Sequence, residues 1–120
     1  MGNRYHHGQL RAALLAASRS ILAESGARGL SLREAARRAG VSTAAPYRHF
    51  KDKTSLLAAL AHAAFVRLDA ELTAVAERFA DAPPLERVQQ LGVAYVGFAA
   101  RHPAEFRLMF GELAPPTWTR

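Results

Sequence analysis

The sequence of 120 residues contains no cysteine, which excludes disulfide bonds and thiolate zinc sites. Its apolar runs are far shorter than the about 18 residues that a membrane-spanning helix needs. The first residues, MGNRYHHGQL, show no apolar segment followed by a cleavage site, so we expect no secretory signal. These absences fit a protein of the reducing cytoplasm, and that is the location we expect.

Motifs of catalysis and metal binding are also missing. Neither G-x-S-x-G nor H-E-x-x-H occurs, and nothing in the sequence sets Tyr47 and His49 beside a third catalytic group. His6 and His7 are adjacent, so they point in different directions on a helix, and no carboxylate or cysteine lies nearby at ligand spacing. We therefore expect no enzyme, no metal and no cofactor.

No stretch alternates apolar and polar residues as a β-strand does. Alanine, in contrast, occurs 26 times, and it favours helices while burying little area. Apolar residues recur at spacings of three and four, which predicts an all-α fold with closely packed helices. The predicted helices cover residues 8–25, 32–39, 43–50, 53–80, 84–101 and a short segment in AEFRLMFGEL, before an irregular tail, APPTWTR.

Local signals mark the helix ends. Ser31 and Asp52 are predicted N-caps, and Ser42 or Thr43 is predicted to cap the third helix, with Pro46 in its first turn. Gly26 and Gly40 are predicted stops. The first three helices are expected to pack as a compact head around Leu14, Ile21, Leu30, Val41 and Phe50.

Positive charge is concentrated at the front of the chain. Residues 1–53 hold ten Lys and Arg against three acidic residues, a balance of +7, whereas residues 54–120 balance to −1. Such a basic head attracts phosphate, either on nucleic acid or on anionic lipid, unless it is only a solvated face.

The two short helices joined by Gly40-Val41-Ser42 have the layout of a helix-turn-helix, which suits DNA. Small residues at the start of the second helix allow close approach to bases, and polar groups farther on can hold phosphates. Arg33, near a helix start, has a better claim on a phosphate than Arg37 and Arg38. The predicted DNA-binding residues are Ser31, Arg33, Ser42, Thr43, Ala44, Ala45, Tyr47, Arg48, His49 and Lys53.

The segment GLSLREAARRAGVSTAAPYRHFKDKTSLLAAL resembles the DNA-binding head of the TetR family of bacterial transcriptional regulators. YHHGQLR resembles the start of many members, and YVGFAARHPAEFRLMFG is similar to the opening of the regulatory domain in one branch. The resemblance implies a helix-turn-helix domain over residues 1–51 and a helical ligand-binding domain over 52–120. It further implies a repressor that a small molecule releases from a palindromic DNA operator.

Seven apolar residues in the second part are expected either to line a cavity for this effector, as the resemblance implies, or to be plain core. They are Phe65, Leu68, Leu72, Tyr95, Phe98, Phe106 and Met109. The family usually continues through about three more helices that form its dimer interface. We therefore expect a fragment or an unusually short form, with a homodimer only in a longer chain. The alternative function is a helical module whose basic head binds an acidic membrane surface or protein.

Overall fold

The computed structural model describes residues 2–111, with side chains from residue 8 onward. Over this range the chain forms five α-helices and a short 3₁₀ helix and has no β-strand, which confirms the predicted all-α fold. The elements are α1 (Gly2–Gly29), α2 (Leu32–Ala39), the 3₁₀ helix (Ala45–Arg48), α3 (Lys53–Arg78), α4 (Pro84–Arg101) and α5 (Pro103–Met109). The tail APPTWTR lies outside the described residues.

Two side-chain caps begin helices where the sequence predicts them. The Ser31 hydroxyl accepts a hydrogen bond from the backbone N–H of Glu34 at 3.0 Å, which fixes the start of α2. The Asp52 carboxylate accepts one from the N–H of Ser55 at 2.8 Å, and this bond lowers the pKa of Asp52. Helices α2 and α4 have the predicted bounds, and α3 ends at Arg78, two residues early.

Helix α1 is longer than predicted at both ends. It begins at Gly2 and continues to Gly29. The predicted stop at Gly26 is present as a break inside the helix, where φ is +71°, a value that glycine adopts at little cost. The chain beyond this break turns Ala27 and Leu30 into the core, where both are buried.

The third predicted helix, residues 43–50, is shorter and tighter in the structure. Only Ala45–Arg48 are helical, in the 3₁₀ form, and the predicted side-chain caps, Ser42 and Thr43, do not cap it. Most hydrogen bonds in this segment span three residues rather than four, which is typical of short helical pieces. Pro46 lies in the first turn, as predicted, where its missing N–H removes no helical hydrogen bond.

The main apolar core lies where α1, α2, α3 and α5 meet. Four residues of the predicted head core are buried, and Val41 is half-buried against them. Other buried members of this cluster come from α2, α3 and α5, and they include Leu32, Ala35, Leu56, Leu57, Leu60, Ala104 and Leu108. The predicted head thus packs around the expected residues, and α3 and α5 add further buried side chains to the same core.

A second, smaller cluster lies farther along α3. Leu68 on α3 and Phe98 on α4 are buried together with Ala64 and Met109. Met109 lies on α5, whose Leu108 belongs to the main core. The seven-residue helix α5 thus contributes neighbouring side chains to both clusters and connects them.

Glu105 on α5 is a buried carboxylate, 7 % exposed, with arginines of α1 and α3 and the side chain of His102 around it. The Nε of Arg19 on α1 lies 3.5 Å from one carboxylate oxygen, and Arg67 on α3 hydrogen-bonds to the other. The Nδ1 of His102 lies 3.9 Å from Oε1 of Glu105. Burial, followed by the neighbouring arginines, lowers the pKa of His102. The two arginines therefore supply most of the positive charge that balances Glu105.

Phe50→Ala tests how the segment directly after the 3₁₀ helix packs in the core. Because the Phe50 side chain is only 2 % exposed, its removal should lower the free energy of unfolding by about 3–5 kcal/mol. Tyr47→Ala is the matched control, since Tyr47 is exposed and its loss should change stability by about 0.5 kcal/mol or less. Urea unfolding measures both variants, and a loss below about 1 kcal/mol for Phe50→Ala would contradict the packing described.

Glu105→Gln tests the buried ion-pair cluster. The substitution leaves two guanidinium groups facing each other without a carboxylate, and it should lower the free energy of unfolding by about 1–3 kcal/mol. The value lies below that of a fully buried pair because Arg19 and Arg67 are partly exposed. Glu71→Gln, which breaks the exposed pair with Arg101, should cost less than about 1 kcal/mol. Equal losses for the two variants would show that Glu105 contributes no more than a surface pair.

Candidate nucleic-acid interface

A tight turn joins α2 to the 3₁₀ helix. Gly40 has φ +74°, the left-handed conformation, and its N–H donates to the carbonyl of Arg37 at 3.2 Å. The N–H of Val41 donates to the carbonyl of Ala36 at 3.0 Å, so the last carbonyls of α2 are satisfied. This turn lays the 3₁₀ helix against α2, in the layout of a helix-turn-helix.

Residues 42–48, called the reading segment below, present one polar face to solvent. The Tyr47 side chain is 60 % exposed. The other exposed members of the segment are Ser42, Thr43, Ala44 and Arg48. Five of the predicted DNA-binding residues therefore share an accessible surface that begins directly after the turn.

Ala45 does not share that surface, and its predicted contact with DNA needs correction. Its side chain is only 7 % exposed, because the first turn of the 3₁₀ helix directs Ala45 and Pro46 toward the interior. His49 is half-buried, with its ring tilted against that of Phe50 at 6.1 Å between centroids. The exposed face thus narrows toward the end of the reading segment.

The start of α2 and the start of the reading segment meet in a shallow depression of about 330 Å³. Ser31, Arg33 and Thr43 line it, together with Glu34 and Arg37. The Ser31 hydroxyl already accepts the N–H of Glu34, so its proton stays available for an outside acceptor. The depression brings together three predicted DNA-binding residues from two elements.

The single carboxylate of this depression is neutralised within the head. Arg37 binds Glu34 through two nitrogens, at 2.6 and 3.0 Å, and Arg38 binds it at 3.2 Å. Hydrogen bonds from Arg37 first, and from Arg38 second, lower the pKa of Glu34 to about 2. Arg38 also pairs with Glu24 on α1. These two arginines are therefore engaged internally, which leaves Arg33 as the cation of α2 that can face an outside anion.

Other cations around the reading segment have no carboxylate partner within the described part of the chain. They include Arg33, Arg48 and Lys53, whereas the charge of Lys51 acts on the neighbouring Asp52 carboxylate and helps to lower its pKa. Lys53 is the first residue of α3 and lies just beyond the Asp52 cap. Uncompensated positive charge thus lies before, within and after the reading segment, as a surface that meets phosphates requires.

The predicted effector residues do not line one enclosed cavity. Leu68, Phe98 and Met109 are buried in the second cluster, whereas Phe65 and Tyr95 are exposed. The remaining two predicted residues, Leu72 and Phe106, are half-buried at the edge of this cluster. Leu72 and Tyr95 also line an open groove of about 560 Å³ between α3 and α4. A second groove, of about 510 Å³, runs between α3 and α5, and of the predicted set only Met109 lines it.

Four aromatic rings connect α3, α5 and α4 along the edge of the second cluster. Phe65 meets Phe110 at 5.6 Å between centroids, Phe110 meets Phe106 at 4.8 Å, and Phe106 meets Tyr95 at 5.6 Å. Phe110 is absent from the predicted set, although its spacing of four from Phe106 offered a signal for it.

Within residues 2–111, no helix is long and apolar enough to cross a membrane. Among residues 8–111, whose side chains the structure describes, no group of three or more His, Asp or Glu side chains is placed to hold a metal ion.

Comparison with known proteins identifies this helix-turn-helix. The chain is 46 % identical to a protein of unknown function from Rhodococcus sp. RHA1, with a TM-score of 0.77 over 94 % of this chain and 58 % of that one. A protein from Lactobacillus plantarum, proposed to be a transcription regulator, shares the fold at 17 % identity and a TM-score of 0.60, over 89 % of this chain and 63 % of that one. None of the curated proteins matches the chain significantly.

Both solved relatives are longer than the part that aligns, and the chain spans about three-fifths of each. The family model of bacterial regulatory proteins, tetR family, matches residues 14–60. Those residues contain most of α1, all of α2, the reading segment and the first turns of α3. Over these residues the helix-turn-helix head is similar to that of the bacterial regulatory proteins of the tetR family.

Proposed function

We propose that this protein is a transcription regulator that binds a specific sequence of double-stranded DNA. The observation that carries the proposal is the exposed reading segment, which follows the turn at Gly40 and is surrounded by cations without carboxylate partners. The match of residues 14–60 to the family model of bacterial regulatory proteins, tetR family, supports it independently. In this proposal, one set of residues recognises the bases and a different set binds the phosphates.

Base recognition is assigned to the first exposed residues of the reading segment. Thr43 and Ala44 have short side chains, so the backbone can approach the floor of the major groove. Their methyl groups suit contact with the methyl group of thymine, and the Thr43 hydroxyl can donate to or accept from a base edge. These residues would therefore determine which sequence is preferred.

Phosphate binding is assigned to polar groups on either side of those residues. Ser31 and Arg33 would hold one phosphate at the depression that they share with Thr43. Tyr47, Arg48 and Lys53 would meet phosphates farther along the segment, because they are polar and lie on or beside the exposed face. Ser42 and the half-buried His49 would add further phosphate contacts. Such contacts position the head without reading sequence.

We further propose that a longer form of the protein acts as a homodimer on a palindromic operator. Two heads related by a two-fold axis bind half-sites about 34–36 Å apart, one turn of the DNA helix. Alone, the 120-residue chain should be mainly monomeric and should bind DNA weakly, because each monomer meets one half-site.

Regulation is proposed to act through α3. This helix begins at Lys53, five residues after the 3₁₀ helix ends at Arg48, and runs about 39 Å along the main core and the second cluster, at about 1.5 Å per residue. An apolar effector placed among the aromatic rings of Phe65, Tyr95 and Phe106 would tilt α3 and change the separation of two heads. It acts as a release signal only if it binds the DNA-free form more tightly, and a coupling of about 1–3 kcal/mol would be ordinary.

Competition between DNA duplexes tests the proposed function. A duplex selected from a random library for binding should outcompete unselected duplex by roughly 10³-fold or more in affinity. Gel-shift titrations with both competitors, at one fixed salt concentration, give the ratio. Equal competition by the two duplexes would rule out a sequence-specific regulator. Tighter binding to vesicles of anionic lipid than to either duplex would instead support a membrane-surface module.

Lys53→Ala and Thr43→Val separate phosphate binding from base recognition. Loss of the Lys53 ammonium should weaken binding to all duplexes alike and reduce the slope of log affinity against log salt by about one. Thr43→Val keeps a similar shape but removes the hydroxyl, so it should change the consensus obtained by selection and leave the salt slope unaltered. An unchanged slope for Lys53→Ala, or an unchanged consensus for Thr43→Val, would exclude that residue from its assigned part.

A further inference from the structure

Arg11 on α1 lies beside the end of the reading segment, although the two are distant in sequence. Its guanidinium carbon is 5.3 Å from the centroid of the Phe50 ring. Phe50 follows the 3₁₀ helix closely, and its N–H donates to the carbonyl of Pro46 at 2.9 Å. The Arg11 head group is therefore placed at the C-terminal side of the element that faces DNA.

The contact with Phe50 gives this exposed guanidinium a defined position. Phe50 is fixed by burial, so its ring is an immobile surface for a cation. A guanidinium over an aromatic face is held by the ring quadrupole, and its planar shape allows stacking that an ammonium lacks. Because Arg11 itself is exposed, its N–H groups stay accessible while the ring holds the group in place.

Arg11 differs in its charge pairing from three other arginines of the head. Arg19, Arg37 and Arg38 are bound to carboxylates of the chain. Arg11 forms no ion pair with a carboxylate of the described residues, and its guanidinium lies over the ring of Phe50. An oriented cation without an anion, next to a DNA-facing segment, fits a phosphate oxygen.

We propose that Arg11 binds a backbone phosphate of the DNA and is held for that contact by Phe50. Resting on the proposed DNA binding, this assignment adds a contact from α1 to those of α2, the reading segment and α3. Ser31 and Arg33 lie at the start of the reading segment and Arg11 at its end, so phosphate contacts bracket the residues that meet the bases. These contacts would hold the head at one position along the groove as well as at one depth in it.

Three variants of the full chain test the proposal against a selected duplex. Arg11→Gln removes the charge and should weaken binding about three- to tenfold near 0.1 M salt, with a salt slope reduced by about one. Arg11→Lys keeps the charge and should preserve the slope, but it should lose about two- to threefold in affinity because the stacked fork is gone. Arg78→Gln is the control. It removes the same charge at the far end of α3, about 38 Å along the helix from Lys53.

Each result has a distinct meaning. Failure of the unaltered chain to bind any duplex would overturn both the proposed function and the Arg11 contact. Binding by the unaltered chain with an unchanged slope for Arg11→Gln would overturn only the Arg11 contact, as would equal slope changes for Arg11→Gln and Arg78→Gln. Thermal melting and stoichiometric titration give the folded, active fraction of each variant. A loss of affinity that disappears after this correction would show that Arg11 only supports the fold.

Discussion

The arrangement of the helices depends most on one buried carboxylate. Glu105 lies between arginines of two other helices and pairs with both. An uncompensated charge in that position would be costly, so α1, α3 and α5 must meet with their side chains in register. Apolar packing alone would tolerate small slides of α5 along its neighbours. The ion pairs fix the short helix α5 at the point where the main core and the second cluster adjoin. They thereby fix the position of the proposed DNA-binding surface relative to the grooves of the second cluster.

The proposed DNA-binding surface follows from the way in which charges pair within the head. Within the described residues, carboxylates near α2 are satisfied by Arg37 and Arg38, which have no remaining need of an outside anion. The cations left over are those closest to the reading segment. A uniformly basic head would attract any polyanion, whereas this distribution concentrates attraction where an exposed threonine and an exposed tyrosine can also make directed contacts.

Features set by near neighbours in sequence could be predicted, and features set by distant ones could not. Ser31 and Asp52 act as caps through the amide three residues on, and Gly40 ends α2 through its own backbone freedom, so short-range patterns suffice. The 3₁₀ form of the reading segment, and the inward turn of Ala45, depend on how Phe50 packs in the core. The partners of Glu105 and Arg11 are distant from them in the chain, and no spacing rule identifies such pairs. The seven predicted effector residues share a helical period but divide between core, grooves and surface, because periodicity identifies a face and not a cavity.

The shared interior has a consequence for exchanging parts between related regulators. The predicted boundary between residues 51 and 52 runs through the main core, since Leu14 and Phe50 on one side pack in one cluster with Leu57 and Leu108 on the other. A head grafted at that boundary onto a foreign body would lose the five buried core residues that α3 and α5 contribute, and it would lose Glu105, the partner of Arg19. New DNA specificity is therefore better transferred by replacing the exposed side chains of the reading segment alone, which leaves every buried contact of the recipient intact.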